Sequence, residues 1–258
     1  MPVSIVGYAD DAMEPYITRD GRYLLFNNSN ADPAKTDLFY ATAVDDHTFT
    51  FGGAIAGANS PALDGVASMD RSGNLYFVST RSYESTLSTI YKASFAGGQA
   101  SGAQIVPGVS LMQPGMLNFD AEISGDGNTL WFADGRFSGG ALPDSATIAI
   151  ADRQGAGFAR RADSGSILAN VNVGGLNYAP SISDDSLELF FTRIADPAHP
   201  APLIYRASRV SVNAAFLAPQ KVAAATGFVE GPSLSADGHT LYYHKLVNGK
   251  FGTYLVRR

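Results

Sequence analysis

The chain contains no cysteine and a single tryptophan among its 258 residues. Without thiols there can be no disulfide, no thiolate metal centre and no cysteine nucleophile. No apolar run reaches the roughly 18 residues that a membrane-crossing helix requires. The first fifteen residues lack a basic start followed by an apolar block, so no secretory signal is expected in this sequence, although a mature secreted chain would read the same way. An excess of positive charge is missing too. There are 18 Lys and Arg against 24 Asp and Glu, a net charge of −6, which argues against binding a phosphate backbone. The charge is uneven: residues 1–130 carry 14 acidic and 6 basic side chains, and residues 131–258 carry 10 and 12. Solvated surface charge is the simplest reading of that gradient.

Helical periodicity is also absent. The nearest approach, "VNAAFLAPQKVAAA" at 212–225, is interrupted by Pro219 and is expected to be a loop with an outer strand. What the chain does contain is a repeat. "TRDGRYLLFNN", "DRSGNLYFVST", "SGDGNTLWFAD", "SDDSLELFFTR" and "SADGHTLYYHK" begin at Thr18, Asp70, Ser124, Ser183 and Ser235. Aligned on Gly21, Gly73, Gly127, Ser186 and Gly238, the copies are 52, 54, 59 and 52 residues apart. Each turn supplies residues that tolerate a positive φ, as tight hairpins require. It leads into an alternating, aromatic-rich segment of β character. A second alternating segment follows in each unit, such as "DLFYATA", "STIYKAS" or "PLIYRAS".

Three or four short strands per unit, repeated five times at blade length, predict an all-β, five-bladed β-propeller with four-stranded blades, one domain over 1–258. "PSLSADGHTLYY" (Pro232–Tyr243) and "PSISDDSLELFF" (Pro180–Phe191) resemble the TolB-like, WD-type propeller repeat. The second copy departs most, lacking the proline and one residue after Gly73. The resemblance implies the fold and, for bacterial relatives, a periplasmic or secreted setting. It is nearly silent on activity, because propellers host many functions. The final "GTYLVRR" matches a third strand, so residues 3–8 are expected to complete the fifth blade and close the ring.

The turn aspartates recur in copy after copy and are read as structural, bonding their own backbone. The repeated aromatics, Tyr76, Phe77, Trp131 and Phe132 among them, are read as packing between blades. Functional side chains are sought where the copies differ, at the top of the first two strands. There the sequence offers Glu14, Tyr16, Asp64, Asp120, Glu122, Tyr178 and Glu230 at strand starts. At the ends of the second strands it offers Asn28, Arg81, Asp134, Arg136, Arg193, His244 and Lys245. These are expected to converge on the mouth of the central channel. No G-x-S-x-G elbow occurs, and His47, His199, His239 and His244 lack metal-ligand spacing. No cofactor is expected. A calcium ion held by channel carboxylates would leave no linear signature and stays open.

The reading that follows is a monomeric, non-catalytic binding propeller whose top face takes a protein, peptide or glycan, with no role in nucleic-acid binding. The alternative is a glycoside hydrolase that works through two carboxylates from different blades, chosen from Glu14, Asp120, Glu122 and Glu230.

Overall fold

The computed structural model describes residues 1–140 and 142–258. Its strands form five small sheets, one per sequence repeat, set around a common axis as a five-bladed β-propeller. Blade I holds β1 (Ser4–Val6), β2 (Met13–Ile17), β3 (Tyr23–Asn27), β4 (Leu38–Ala43) and β5 (Thr48–Ala54). Blade II holds β6 (Asp64–Met69), β7 (Asn74–Ser79), β8 (Ile90–Ala96) and β9 (Gln99–Ile105), with the one-turn helix α1 (Tyr83–Thr86) between β7 and β8. Blade III is β10 (Met116–Ile123), β11 (Thr129–Arg136), β12 (Ser145–Gln154) and β13 (Gly157–Arg160). A second short helix, α2 (Ser164–Ile167), precedes blade IV, which is β14 (Leu176–Ile182), β15 (Glu188–Ile194), β16 (Leu203–Ser208) and β17 (Gln220–Lys221). Blade V is β18 (Phe228–Leu234), β19 (Thr240–Val247) and β20 (Lys250–Arg257). The Ala-rich segment is a loop ending in the two-residue β17, as its proline requires.

Successive side chains of a strand point to opposite faces, and the repeated aromatic pairs use this. Tyr76 packs into the core shared by blades II and III, and its neighbour Phe77 into that of blades I and II. Trp131 and Phe132, Phe190 and Phe191, and Tyr242 and Tyr243 divide in the same way between the two interfaces of their own blade. Each second strand therefore serves two cores, which is why the aromatics recur as adjacent pairs.

Ring closure uses more of the N-terminus than residues 3–8, and in a different way. Met1 exchanges backbone hydrogen bonds with Leu255 of β20, Val3 N–H donates to Thr253 O, and Pro2 pairs antiparallel with Tyr254. Further along, Asp11 and Ala12 bond both backbone groups of Phe251. Between these two attachments the chain leaves blade V, and β1 pairs in parallel with β5 on the outside of blade I. The N-terminus does close the ring on the last blade, as expected, but as a strap and not as one strand over 3–8. Residues 1–3 and 11–12 cover the β20 edge, and residues 4–6 fasten to the next blade. An edge left open would be a template for pairing with another chain.

Each inner strand carries a β-bulge at the same place. The register shifts between Met13 and Tyr16, Gly65 and Ser68, Phe119 and Glu122, Tyr178 and Ser181, and Glu230 and Ser233. Within each bulge one residue is left-handed: Glu14, Val66, Asp120, Ala179 and Gly231, with φ between 48° and 60°. All five stand seven residues before the aligned turn position. For a residue with a Cβ this conformation costs about 1 kcal/mol or more. A bulge bends and re-aims its strand, and five copies show that the bend belongs to the architecture. The side chain at the bend is what distinguishes one blade from another.

Candidate functional site

The five bulges surround the axis and line a cavity of about 30 Å³, walled by Glu14, Val66, Asp120, Ala179 and Gly231 with the residues that follow each of them. That volume holds a water molecule or two. Drug-sized ligands occupy cavities roughly ten times larger. A sugar ring does not fit inside it.

The backbone amide of the bulge residue needs an acceptor, and the preceding blade supplies it from the position six residues after the turn. His244 Nδ1 accepts from Glu14 N–H at 3.1 Å, Asn27 Oδ1 from Val66 N–H at 3.1 Å and Thr192 Oγ1 from Gly231 N–H at 3.1 Å. Blade III has Ala133 at this position, which cannot accept. There Asp120 Oδ2 takes its place and accepts from Ala179 N–H at 3.0 Å. One channel carboxylate is therefore pinned by a structural bond, with its second oxygen free to face the cavity.

Glu230, beside its own bulge, accepts from the Tyr178 hydroxyl and lies 3.3 Å from His244 Nε2. Because His244 Nδ1 already accepts from a backbone amide, the ring proton sits on Nε2 and is donated to Glu230. Gly231 leaves room for these side chains: a Cβ there would lie 2.5 Å from Glu14 Oε2 and 3.0 Å from His244 Nδ1. Glu14 is the least satisfied member of the group. Its carboxylate accepts no hydrogen bond, and the nearest imidazole nitrogen, 3.9 Å away, is the one already used as an acceptor. The Glu14 side chain is 11% exposed and that of Glu230 14%.

These surroundings disfavour negative charge. Burial, followed by the charge of Glu230 and opposed by that of His244, raises the Glu14 carboxyl. Burial first, then the charge of Glu14, holds Asp120 well above the usual carboxylate range. Burial and the Glu230 carboxylate likewise raise the Tyr178 hydroxyl.

One layer down, cross-blade bonds tie the ring together. Ser233 accepts from Ile17 N–H at 3.0 Å, Tyr16 donates to Met69 O at 2.6 Å, Ser68 accepts from Ile123 N–H at 3.1 Å and Ser181 accepts from Leu234 N–H at 3.0 Å. Glu122 fills the same position in blade III and meets the Ile182 amide. Its other partner is Arg19, at 2.8 Å, which rises from the first turn into the bottom of the channel. Both side chains are almost completely buried, at 3% and 6% exposure. Arg19 also approaches Asp184 at 3.5 Å, and Asp184 pairs with Arg71. These three residues occupy one position in three different turns, so the turns close the bottom of the channel with charge. Gly125, at the same position in blade III, leaves the room: a Cβ there would lie 2.5 Å from the Arg71 guanidinium.

Of the sequence candidates, Glu14, Asp120, Tyr178, Glu230 and His244 thus come together, while Tyr16 and Glu122 belong to the layer below. The rest are spread over the blade tops. Asp64 pairs with Arg81 at 2.6 Å, and Arg81 stacks over Tyr91. Asp134 binds Asn118 at 2.6 Å and pairs with Arg160, which stacks over Phe132. Arg193 donates to Asn177 at 2.7 Å over the ring of Tyr205. In blades II to IV, then, a polar side chain on the inner strand, an arginine and an aromatic ring join neighbouring strands. Asn28 bonds Lys35 O and Asp37 N–H within its own loop. Lys245 lies 5.6 Å over the ring of Tyr254, and Arg136 is exposed at the end of β11. Arg19 was missed because it sits in a turn, where a charged residue looks like solvent-facing filler. The turn aspartates do cap their own loops: Ser183 and Ser235 donate to Asp185 and Asp237 at 2.6 Å, which lowers both carboxyls.

Among the described residues, only Asp45, Asp46 and His47 bring three metal-ligating side chains within 4.8 Å of one another, on the exposed β4–β5 turn. The channel carboxylates are not gathered that closely. No helix is long and apolar enough to cross a membrane.

No family model and no curated protein matches the sequence. Solved structures do match the fold. TolB from Acinetobacter baumannii aligns over 96% of this chain at 15% identity and a TM-score of 0.52, and the chain spans about half (52%) of that protein. A thermostable family-43 glycoside hydrolase aligns over 100% of this chain and 92% of its own length, at 12% identity and a TM-score of 0.64. An endo-arabinase from Bacteroides thetaiotaomicron aligns over 100% and 97%, at 13% identity and a TM-score of 0.63. At such identities the likeness is one of fold: the chain is a five-bladed propeller similar both to TolB proteins and to glycoside hydrolases.

Proposed function

We propose that the protein is a non-catalytic binding propeller whose top face takes a protein or peptide ligand and seats a cationic group of it, such as a lysine ammonium, over Glu14, Asp120 and Glu230. The observation that carries this reading is the axial cavity. Glu14 and Asp120 line that space of about 30 Å³, too small for a sugar ring. Glu230 and Tyr178 adjoin them as a hydrogen-bonded pair, and the lining residue Glu122 is paired with Arg19. Arg81, Arg160 and Arg193 are each engaged within their own blade, so they do not neutralise the group. A buried carboxylate without a donor is costly, and an incoming ammonium supplies both the charge and the hydrogen bonds.

One observation favours a second reading. The glycoside hydrolases align over nearly their whole length, and at higher TM-scores than TolB. In a hydrolase, Asp120 would be the acid and Glu230 the second carboxyl of the pair, with the sugar lying above the mouth instead of in it.

A thermal-shift screen with n-butylammonium, lysine-rich peptides and arabino-oligosaccharides separates the two, run beside an assay for sugar release from arabinan. A ligand at 100 times its Kd stabilises a protein by about 2.7 kcal/mol. Stabilisation by the cations with no sugar release supports the binding reading. Sugar release that disappears in Asp120→Asn overturns it.

A further inference from the structure

We infer that a cation entering the mouth displaces a proton held on the Glu14 and Asp120 carboxyls when the mouth is empty, so that ligand binding is coupled to pH. The inference rests on the binding reading above and deepens it.

The argument is one of donors and acceptors. The polar side chains that line the cavity are Glu14 and Tyr16 from β2, Asp120 and Glu122 from β10 and Ser233 from β18, while β6 contributes the uncharged Val66. Beside Glu14 stand Tyr178 from β14, Glu230 from β18 and His244 from β19, bonded to one another. Below them lie Glu122, Arg19 and Asp184, already paired with one another. Three donors are available to the three carboxyls. Ala179 N–H goes to Asp120 Oδ2, and Tyr178 O–H and His244 Nε2–H both go to Glu230. Glu230 therefore takes two of the three donors. Glu14 has none, and it faces the Nδ1 lone pair of His244. The second oxygen of Asp120 has none either.

Like charges that share a site cannot all be ionised, and burial adds to the penalty on Glu14 and Asp120. Burial opposes a charge on His244, although Glu14 and Glu230 outweigh it and raise the imidazole. Charging the ring would turn Nδ1 into a donor against the Glu14 N–H, and that hydrogen bond favours the carboxyls as the place of the proton. The proton thus resides on the pair that lacks donors, and an ammonium offers the same two carboxyls hydrogen bonds and a full charge. Binding then releases the proton to solvent. Affinity weakens as pH falls, by about tenfold per unit for one displaced proton.

Calorimetric titration with n-butylammonium chloride at pH 7.5 tests this, in phosphate and in Tris, whose ionisation enthalpies differ. The expected result is an apparent binding enthalpy that differs between buffers by close to one proton's worth, with a Kd that rises on acidification from pH 8.5 to 5.5. Asp120→Asn keeps an oxygen for the Ala179 amide and is expected to melt as a folded protein, as is Glu14→Gln. Each should bind more weakly and release less of a proton. Binding with equal enthalpies in both buffers and a flat Kd overturns the coupling while leaving the binding reading intact. Absence of binding across the whole pH range overturns the reading, and the coupling with it. Unchanged proton release in both variants overturns the assignment to Glu14 and Asp120.

Discussion

Replacing Arg19 with methionine removes the cation that hydrogen-bonds Glu122, at a point where both side chains are buried. Burial pushes the Glu122 carboxyl up to about 7 even with Arg19 opposing it. Against an ordinary value of 4.5, that shift is worth roughly 3 kcal/mol at about 1.4 kcal/mol per unit. The sign follows from proton counting. Between pH 4.5 and 7 the native state binds more protons at Glu122 than the unfolded chain does, so this group stabilises in acid and the stability is lost as pH rises through 7. In Arg19→Met the carboxyl loses its counter-charge and its value rises further. At pH 8 the variant should lose about 3–5 kcal/mol, the cost of stranding one partner of a buried pair. At pH 5 Glu122 is neutral in both proteins, and the loss should shrink to under about 2 kcal/mol, mostly the hydrogen bond. Urea denaturation of the two proteins at pH 5 and pH 8 measures this directly, and the double variant Arg19→Met/Glu122→Leu should recover much of the pH 8 loss. An equal loss at both pH values would refute the reasoning, because the cost would then be packing and not charge.

His244→Phe strands the Glu14 amide and should cost about 1–3 kcal/mol. His244→Asn restores the arrangement that Asn27 provides for Val66 in blade I and should cost clearly less, as midpoints of thermal unfolding will show. Deleting residues 1–6 removes both β1 and the pairing of Met1 to Val3 with β20, and so frees part of a strand edge. The shortened chain should unfold at lower urea and associate through the freed edge, which light scattering at several concentrations detects. Unchanged scattering and equal stability would show the strap to be decoration.

The fold could be read from the sequence because its causes are local and repeated. Turn chemistry at Gly21, Gly73, Gly127 and Gly238 and the aromatic pairs recur at blade spacing. The bulge at Glu14, Val66, Asp120, Ala179 and Gly231 has the same spacing, but these five residues share neither size nor charge, so backbone conformation left no mark in their chemistry. The site was legible only in part. Glu14, Asp120, Tyr178, Glu230 and His244, which the structure brings together, stand out in the sequence because they vary among copies at the top of the first two strands. Arg81 and Arg193 vary as well, but they are consumed by partners such as Asp64 and Asn177, pairings set by three-dimensional reach and not by sequence position. The strap was misassigned for a related reason. "PVSIVGY" has strand character and lies at the right distance from the repeat, yet only packing decides which of two neighbouring edges it joins.

The binding reading places a cation in the top-face mouth. A titration of the isotopically labelled protein with n-butylammonium, followed through backbone amide resonances, tests it most directly. The Ala179 and Gly231 amides, which border the carboxyl group, should shift together and saturate at one stoichiometric site, while the bottom-turn amides of Gly127 and Gly238 stay still. Shifts confined to the bottom turns, or none at the bulges, would contradict it.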